Sequence, residues 1–114
     1  MGKSLGEFEQ MILYALVSLG DGAYGAAVRR EIESRSGKHV SAGAVYTVLE
    51  RLERAGLVSS RVGEPTAERG GRRRKHYLLR PDGARSLRDA RDQMRRMGEG
   101  LDERLARLCS EDVR

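Results

Sequence analysis

Residues 41–79 read SAGAVYTVLERLERAGLVSSRVGEPTAERGGRRRKHYLL, and this stretch decides the fold. Ser41 is a strong N-cap type, because its hydroxyl can accept from a free backbone N–H of a first helical turn. Gly56 stands where a left-handed terminating residue belongs. Between them Val45, Val48, Leu49, Leu52 and Ala55 recur at helical spacing and predict a buried stripe. Ala42, Gly43, Tyr46, Thr47, Glu50, Arg51 and Arg54 are left outward or at its margin. The first two turns therefore present small and hydroxylic groups, with no acidic side chain before Glu50. After Gly56, residues 57–62 and 76–79 predict two short strands, and the turn formers of residues 63–71 join them as a long-tipped hairpin. The tip runs into Arg72, Arg73, Arg74 and Lys75.

Upstream, Phe8, Met11, Ile12, Ala15, Leu16 and Leu19 repeat at helical spacing, with Ser4 and Glu7 spaced as a capping box. Leu13, Tyr14 and Val17 fall off that stripe, so this helix is apolar nearly all round and must be covered on more than one side. A second subunit is the expected second cover. Gly20, Asp21 and Gly22 end it. A second helix is predicted over about residues 23–35, with Tyr24, Ala27, Val28 and Ile32 inward and Arg29, Arg30, Glu33 and Arg35 wet. Tyr14 and Tyr24 are most simply core residues.

Downstream, Pro81 suits the first position of a last helix. Leu87, Ala90, Met94, Met97, Leu101 and Leu108 follow at heptad spacing, with Leu105 substituting where Arg104 breaks the pattern. Gly98 and Gly100 weaken this helix and mark where it bends or ends. Such a stripe must be buried, either on its own domain or in a dimer interface. Dimerisation is expected, through Met11, Leu13, Tyr14, Val17, Leu87, Met94, Met97, Leu101, Leu105 and Leu108. Three helices, a basic hairpin and one more helix give a mainly α chain with a small β-hairpin (α+β). That is a winged helix-turn-helix over residues 1–80 and a C-terminal dimerisation helix over 81–114.

Charge locates the partner. Residues 1–60 carry 7 basic and 7 acidic side chains, and residues 81–114 carry 8 and 8. Residues 61–80 carry 7 basic against 2 acidic, so the whole net charge of +5 lies at the hairpin. A local cationic cluster attracts polyanions. Other classes fall away. The longest uncharged run is Gln10–Gly20, too short to span a bilayer. The opening MGKSLGEFEQ lacks the apolar core of a secretory signal, so a cytoplasmic, bacterial nucleoid-associated protein is expected. Cys109 with His39 and His76 offers no thiolate metal cage, no cofactor motif is present, and no nucleophile–base constellation stands in a catalytic context. An enzyme is not expected. Cys109 is read as a free thiol and His76 as a strand residue near phosphate.

Four stretches carry a resemblance to the PadR-type transcriptional regulators, running from about Leu5 to Leu87. They are LVSLGDGAYG at 16–25; Ser41, Gly43, Tyr46, Leu49, Leu52, Glu53, Gly56, Leu57 and Val58 in their spacing; GGRRRKHY at 70–77; and Pro81-Asp82-Gly83. The resemblance implies a winged-helix homodimer that binds operator DNA, usually as a repressor. By position it implies a DNA-facing recognition helix at Ser41, Gly43, Tyr46 and Thr47, and wing contacts at Arg72, Arg73, Arg74 and Lys75. Arg51, on the outer face of the same helix, joins the recognition group. Glu53 is expected to be a structural salt-bridge residue. Arg80 departs from the family's Thr before Pro-x-Gly and cannot cap as Thr would. The expected partner is double-stranded DNA. A small-molecule effector has room at the dimer interface, but no residue in the sequence points to one. An RNA-binding or ribosome-associated winged helix fits the basic hairpin equally well, but the chain lacks the paired aromatics that stack on single-stranded bases.

Overall fold

The computed structural model of the chain describes residues 4–63 and 74–110. The order is α1 (Glu7–Leu19), a single 3-10 turn (Gly20–Gly22), α2 (Gly25–Ser36), α3 (Ala42–Arg54), β1 (Val58–Val62), β2 (Lys75–Leu79), α4 (Pro81–Gly98) and α5 (Asp102–Ser110). The strands pair antiparallel with Ser60 opposite Tyr77, so the predicted hairpin forms. This is the expected winged-helix α+β fold.

Helix α1 starts two residues later than a Ser4 cap requires. Gly6 is its N-cap, and the Glu9 carboxylate accepts from the Gly6 N–H at 2.8 Å. Glu7 turns outward instead and pairs with Lys38 at 3.2 Å. Helix α3 begins and ends as predicted: Ser41 Oγ accepts from Ala44 N at 3.1 Å, and Gly56 is left-handed with φ 81°.

The core gathers Ile12, Leu13, Leu16, Val28, Ile32, Val45, Leu49, Leu52, Val58, Tyr77 and Leu87. Helix α1 lies at its centre, packed on α2, α3, β2 and α4 of its own chain. That placement corrects two expectations. Leu13 is fully buried and Leu87 is nearly so, both inside this one chain, so neither is free for a partner subunit. The off-stripe side of α1 is covered at Leu13 by the same chain, not by a second one. Tyr14, in contrast, is 42% exposed and Val17 is 58% exposed, so Tyr14 is not a core residue.

The start of α4 is pinned by a close approach. Arg80 N donates to Leu57 O at 3.0 Å, and a Cβ at Gly83 would lie 2.2 Å from that same oxygen. Only glycine lets the helix reach this backbone. Among the described residues no side chain caps α4 at Arg80, as its departure from Thr predicts. Beyond Leu87 the helix leaves the core and stops at Gly98. Glu99 is extended and Gly100 has φ 78°, so the predicted C-terminal helix is two helices. Met94, Met97, Leu101, Leu105 and Leu108 are all at least half exposed. The radius of gyration is 17.4 Å, against about 13 Å for a compact domain of 100 residues. The projecting α4–α5 arm accounts for the difference.

Candidate nucleic-acid interface

The outer side of α3 presents what the sequence assigns to it. Ser41, Gly43, Tyr46 and Thr47 are all exposed on its first two turns, together with Ala42 and Ala44. No acidic residue lies in the first turn. The N-terminus of a helix carries a partial positive charge and free N–H groups, so this end suits an anion. Arg51 sits a full turn further on, and its Nε is 3.4 Å from the Glu9 carboxylate on α1.

Tyr46 is placed by α2. An added Cβ at Gly25 would lie 2.2 Å from Tyr46 Cζ and 2.4 Å from both Cε1 and the hydroxyl. The tyrosine ring therefore lies directly on the first residue of α2, and the bare glycine makes room for it.

The wing is anchored as well as basic. Gly63 N donates to Arg74 O at 2.7 Å, extending the hairpin one pair beyond β1 and β2. Arg72 and Arg73 lie outside the described residues. Arg74 and Lys75 do not sit alike. Lys75 Nζ is 3.7 Å from Glu53 on α3, and Ser60 Oγ donates to the other Glu53 oxygen at 2.5 Å. Glu53 is thus the structural residue it was expected to be, tying α3 to both strands. Arg74 instead lies over the Tyr24 ring, with Cζ 4.1 Å from its centroid.

Tyr24 and His76 form a junction that the sequence did not disclose. Tyr24 is the N-cap of α2 and makes an isolated antiparallel bridge with His76 on β2. Tyr77 N donates to Ala23 O at 2.8 Å beside it. The two rings meet edge to face with centroids 5.9 Å apart. His76 turns its Nδ1 inward, buried and without a hydrogen-bond partner among the described residues, instead of offering it to solvent. Arg30 donates to the Tyr24 hydroxyl at 3.0 Å. That hydrogen bond, with the Arg74 charge, holds the Tyr24 phenol below its ordinary range despite some desolvation. Burial pushes the Tyr77 phenol the other way, upward, with Glu53 and Glu50 adding to it. Tyr24-Gly25 was visible as a motif, yet a tyrosine between apolar residues at a helix start reads as core.

Among the described residues no group of three His, Cys, Asp or Glu side chains could hold a metal ion. No helix among them is long and apolar enough to cross a membrane. Cys109 is a free, exposed thiol.

The model of the "Transcriptional regulator PadR-like family" matches residues 12–89. The chain belongs to this family. Its members are transcription regulators, not enzymes, and membership supports a DNA-binding regulator. Solved structures agree in fold. A PadR family transcription regulator from hypervirulent Clostridium difficile R20291 is 25% identical with a TM-score of 0.71, over 88% of this chain and 99% of that one. A PadR family transcriptional regulator from Eggerthella lenta is 25% identical with a TM-score of 0.66, over 87% and 86%. The protein hsRosR-S1, solved in a complex, is 27% identical with a TM-score of 0.65, over 96% and 92%. No curated protein matches the chain.

Proposed function

We propose that this PadR-like chain is a sequence-specific binder of double-stranded DNA that works as a homodimer and represses transcription by occupying an operator. The observation that carries the reading is the exposed, acid-free start of α3, flanked by a wing that holds the chain's entire net charge. Helix α3 enters a major groove, and Ser41, Gly43, Tyr46 and Thr47 meet base edges and the adjacent phosphates. Arg72, Arg73 and Arg74 track the backbone through forked donors. Lys75 contributes less, because Glu53 already faces its ammonium. Arg51 is likewise drawn toward Glu9 and is a secondary contact at most.

Residues 1–80 form the DNA-binding unit in this reading, and residues 81–114 form the dimerisation arm. Support for the dimer comes from what one chain leaves uncovered. Among the described residues nothing covers the stripe of Met94, Met97, Leu101, Leu105 and Leu108, each at least half exposed. A groove of about 500 Å³ between α1 and α2, lined in part by Met11, Tyr14, Val17 and Ile32, is likewise open. Laying the arm of one subunit on this side of the other removes both apolar surfaces from water. A two-fold pair places two α3 helices about one DNA turn apart.

Fluorescence anisotropy with the chain's own upstream DNA and a scrambled duplex, at several salt concentrations, tests the reading. Specific binding of two subunits per site is expected, with a matched RNA duplex bound more weakly. Three wing arginines in each of two subunits give a log–log salt slope of roughly −5. Neutralising Arg72, Arg73 and Arg74 should flatten it. Equal affinity for both DNA duplexes, or an unchanged slope, rejects the corresponding part of the proposal.

A further inference from the structure

Among the described residues, the junction between α2 and the wing holds two guanidinium groups and no carboxylate paired with either. Arg30 comes from the second turn of α2 and reaches the Tyr24 hydroxyl at 3.0 Å. Arg74 comes from the root of β2, and its Cζ lies over the same ring, 4.1 Å from the centroid. Among the described residues neither takes part in an ion pair. The nearby carboxylates are committed elsewhere. Glu31 faces Ser18 and Arg35. Glu33 accepts from Arg29 and the Val40 N–H and lies 3.1 Å from His39 Nδ1. Glu53 faces Lys75 and Ser60. Two like charges gathered on one side chain repel each other, and an anion between them removes that penalty.

We propose that Arg30 and Arg74, both held against Tyr24, form a clamp for a single DNA backbone phosphate. The proposal rests on the DNA-binding reading and adds Arg30 of α2 to the phosphate contact already given to the wing's Arg74. A phosphodiester offers two non-bridging oxygens, and the planar guanidinium fork matches such oxygens. The Tyr24 ring holds the Arg74 guanidinium by cation–π attraction, and the Tyr24 hydroxyl holds Arg30 by a hydrogen bond. Pre-set side chains lose less freedom when the ligand arrives. The surroundings add to the field. Helix α2 begins at Gly25 with no side-chain cap among the described residues, so its positive end is free. The Tyr46 hydroxyl rests on that same glycine, which puts the clamp beside the start of α3. The Arg30 hydrogen bond and the nearby Arg74 charge also hold the Tyr24 phenol below its ordinary range.

The test compares Arg30→Gln, Arg74→Gln, the double variant and Tyr24→Phe with wild type, on the upstream duplex and its scramble, across a salt series. Arg88→Gln on the wet side of α4 serves as control. Arg30 is exposed, so its loss leaves the fold intact. Arg30→Gln should weaken both duplexes alike, by roughly tenfold per subunit, because a phosphate carries no sequence information. The double variant should flatten the salt slope by about two for the dimer, and should lose less than the product of the single losses because both groups serve one phosphate. Tyr24→Phe should act in the same direction as Arg30→Gln, but more weakly. Arg88→Gln should match wild type. An Arg30→Gln variant with unchanged affinity and slope overturns the clamp while leaving the DNA reading standing. So does an Arg30→Gln variant that weakens only the cognate duplex. A wild-type chain that binds neither duplex overturns the DNA reading and the clamp together.

Discussion

Substituting Gly25 by alanine should separate DNA affinity from stability in this chain. The new methyl would stand 2.2 Å from Tyr46 Cζ and 2.4 Å from the hydroxyl. Carbon atoms in contact prefer about 3.5–4.0 Å, so the ring must retreat by at least about 1.3 Å. It has somewhere to go: Tyr46 is 43% exposed and its outer atoms face solvent, so the core need not move. Alanine is also the better helix former by up to about 1 kcal/mol, so stability should stay level or rise. Binding should suffer instead. A hydrogen bond tolerates only a few tenths of an ångström of stretch, so displacing the hydroxyl that far removes whatever DNA contact it makes. At about 1–1.5 kcal/mol per subunit, a dimer loses roughly 2–3 kcal/mol, or about 30- to 150-fold. Anisotropy titration reads the affinity and urea unfolding reads the stability. The cycle closes with Tyr46→Ala, alone and combined with Gly25→Ala. The reasoning fails if Gly25→Ala costs the same affinity when Tyr46 is already absent. It fails equally if Gly25→Ala binds as tightly as wild type, or unfolds more readily by several kcal/mol.

Other expectations follow from the same packing. Gly83→Ala meets the Leu57 carbonyl at 2.2 Å, a backbone atom that cannot swing away. It should destabilise by about 1–3 kcal/mol in urea, whereas Gly98→Ala, with open space around it, should be neutral or stabilising. Leu105→Asp places a charge in the exposed arm stripe, and sedimentation should show the proposed dimer shifted toward monomer with the helical signal of residues 4–98 retained; an unshifted dimer removes Leu105 from the interface. Tyr77 is buried with its pKa raised, so its neutral form is the one the fold favours. Its contribution is complete below the ordinary phenol value of about 10 and is lost as pH climbs above it. Tyr77→Phe should flatten the alkaline fall in stability, and a fall of unchanged steepness would contradict that assignment.

Much of the fold was legible because its signals are local. Ser41 and Gly56 bracket α3, the Val45–Leu52 stripe orients it, and turn formers separate two short apolar runs into a hairpin. Gly98 and Gly100 marked the place where the last helix breaks. What was not legible depends on distant partners. Leu13 and Leu87 look like interface residues by periodicity alone, since nothing in α1 shows that α4 will return to cover it. Arg51 and Lys75 count as free cations in a sequence. Glu9 and Glu53, far along the chain, reduce what each can offer a polyanion. Tyr24 was illegible for the same reason: its partners Arg74 and His76 lie about fifty residues away and share no period with it.

On the proposed reading, that junction explains how the two DNA-facing elements can keep a fixed spacing. A recognition helix and a wing joined only by β1 would move independently about the hairpin root. Here two consecutive residues at the start of α2 hold both. Tyr24 grips the wing through the His76 bridge and the Arg74 stack, while Gly25 seats the Tyr46 ring of α3. Their order matters, because a side chain at residue 25 would push α3's tyrosine outward, and its absence at residue 24 would free Arg74. Motion of the wing root is therefore coupled to the start of α2, and through it to the outer face of α3. On the proposed reading, a phosphate seated against Arg30 and Arg74 braces this same junction, so that backbone binding and wing placement share one set of contacts.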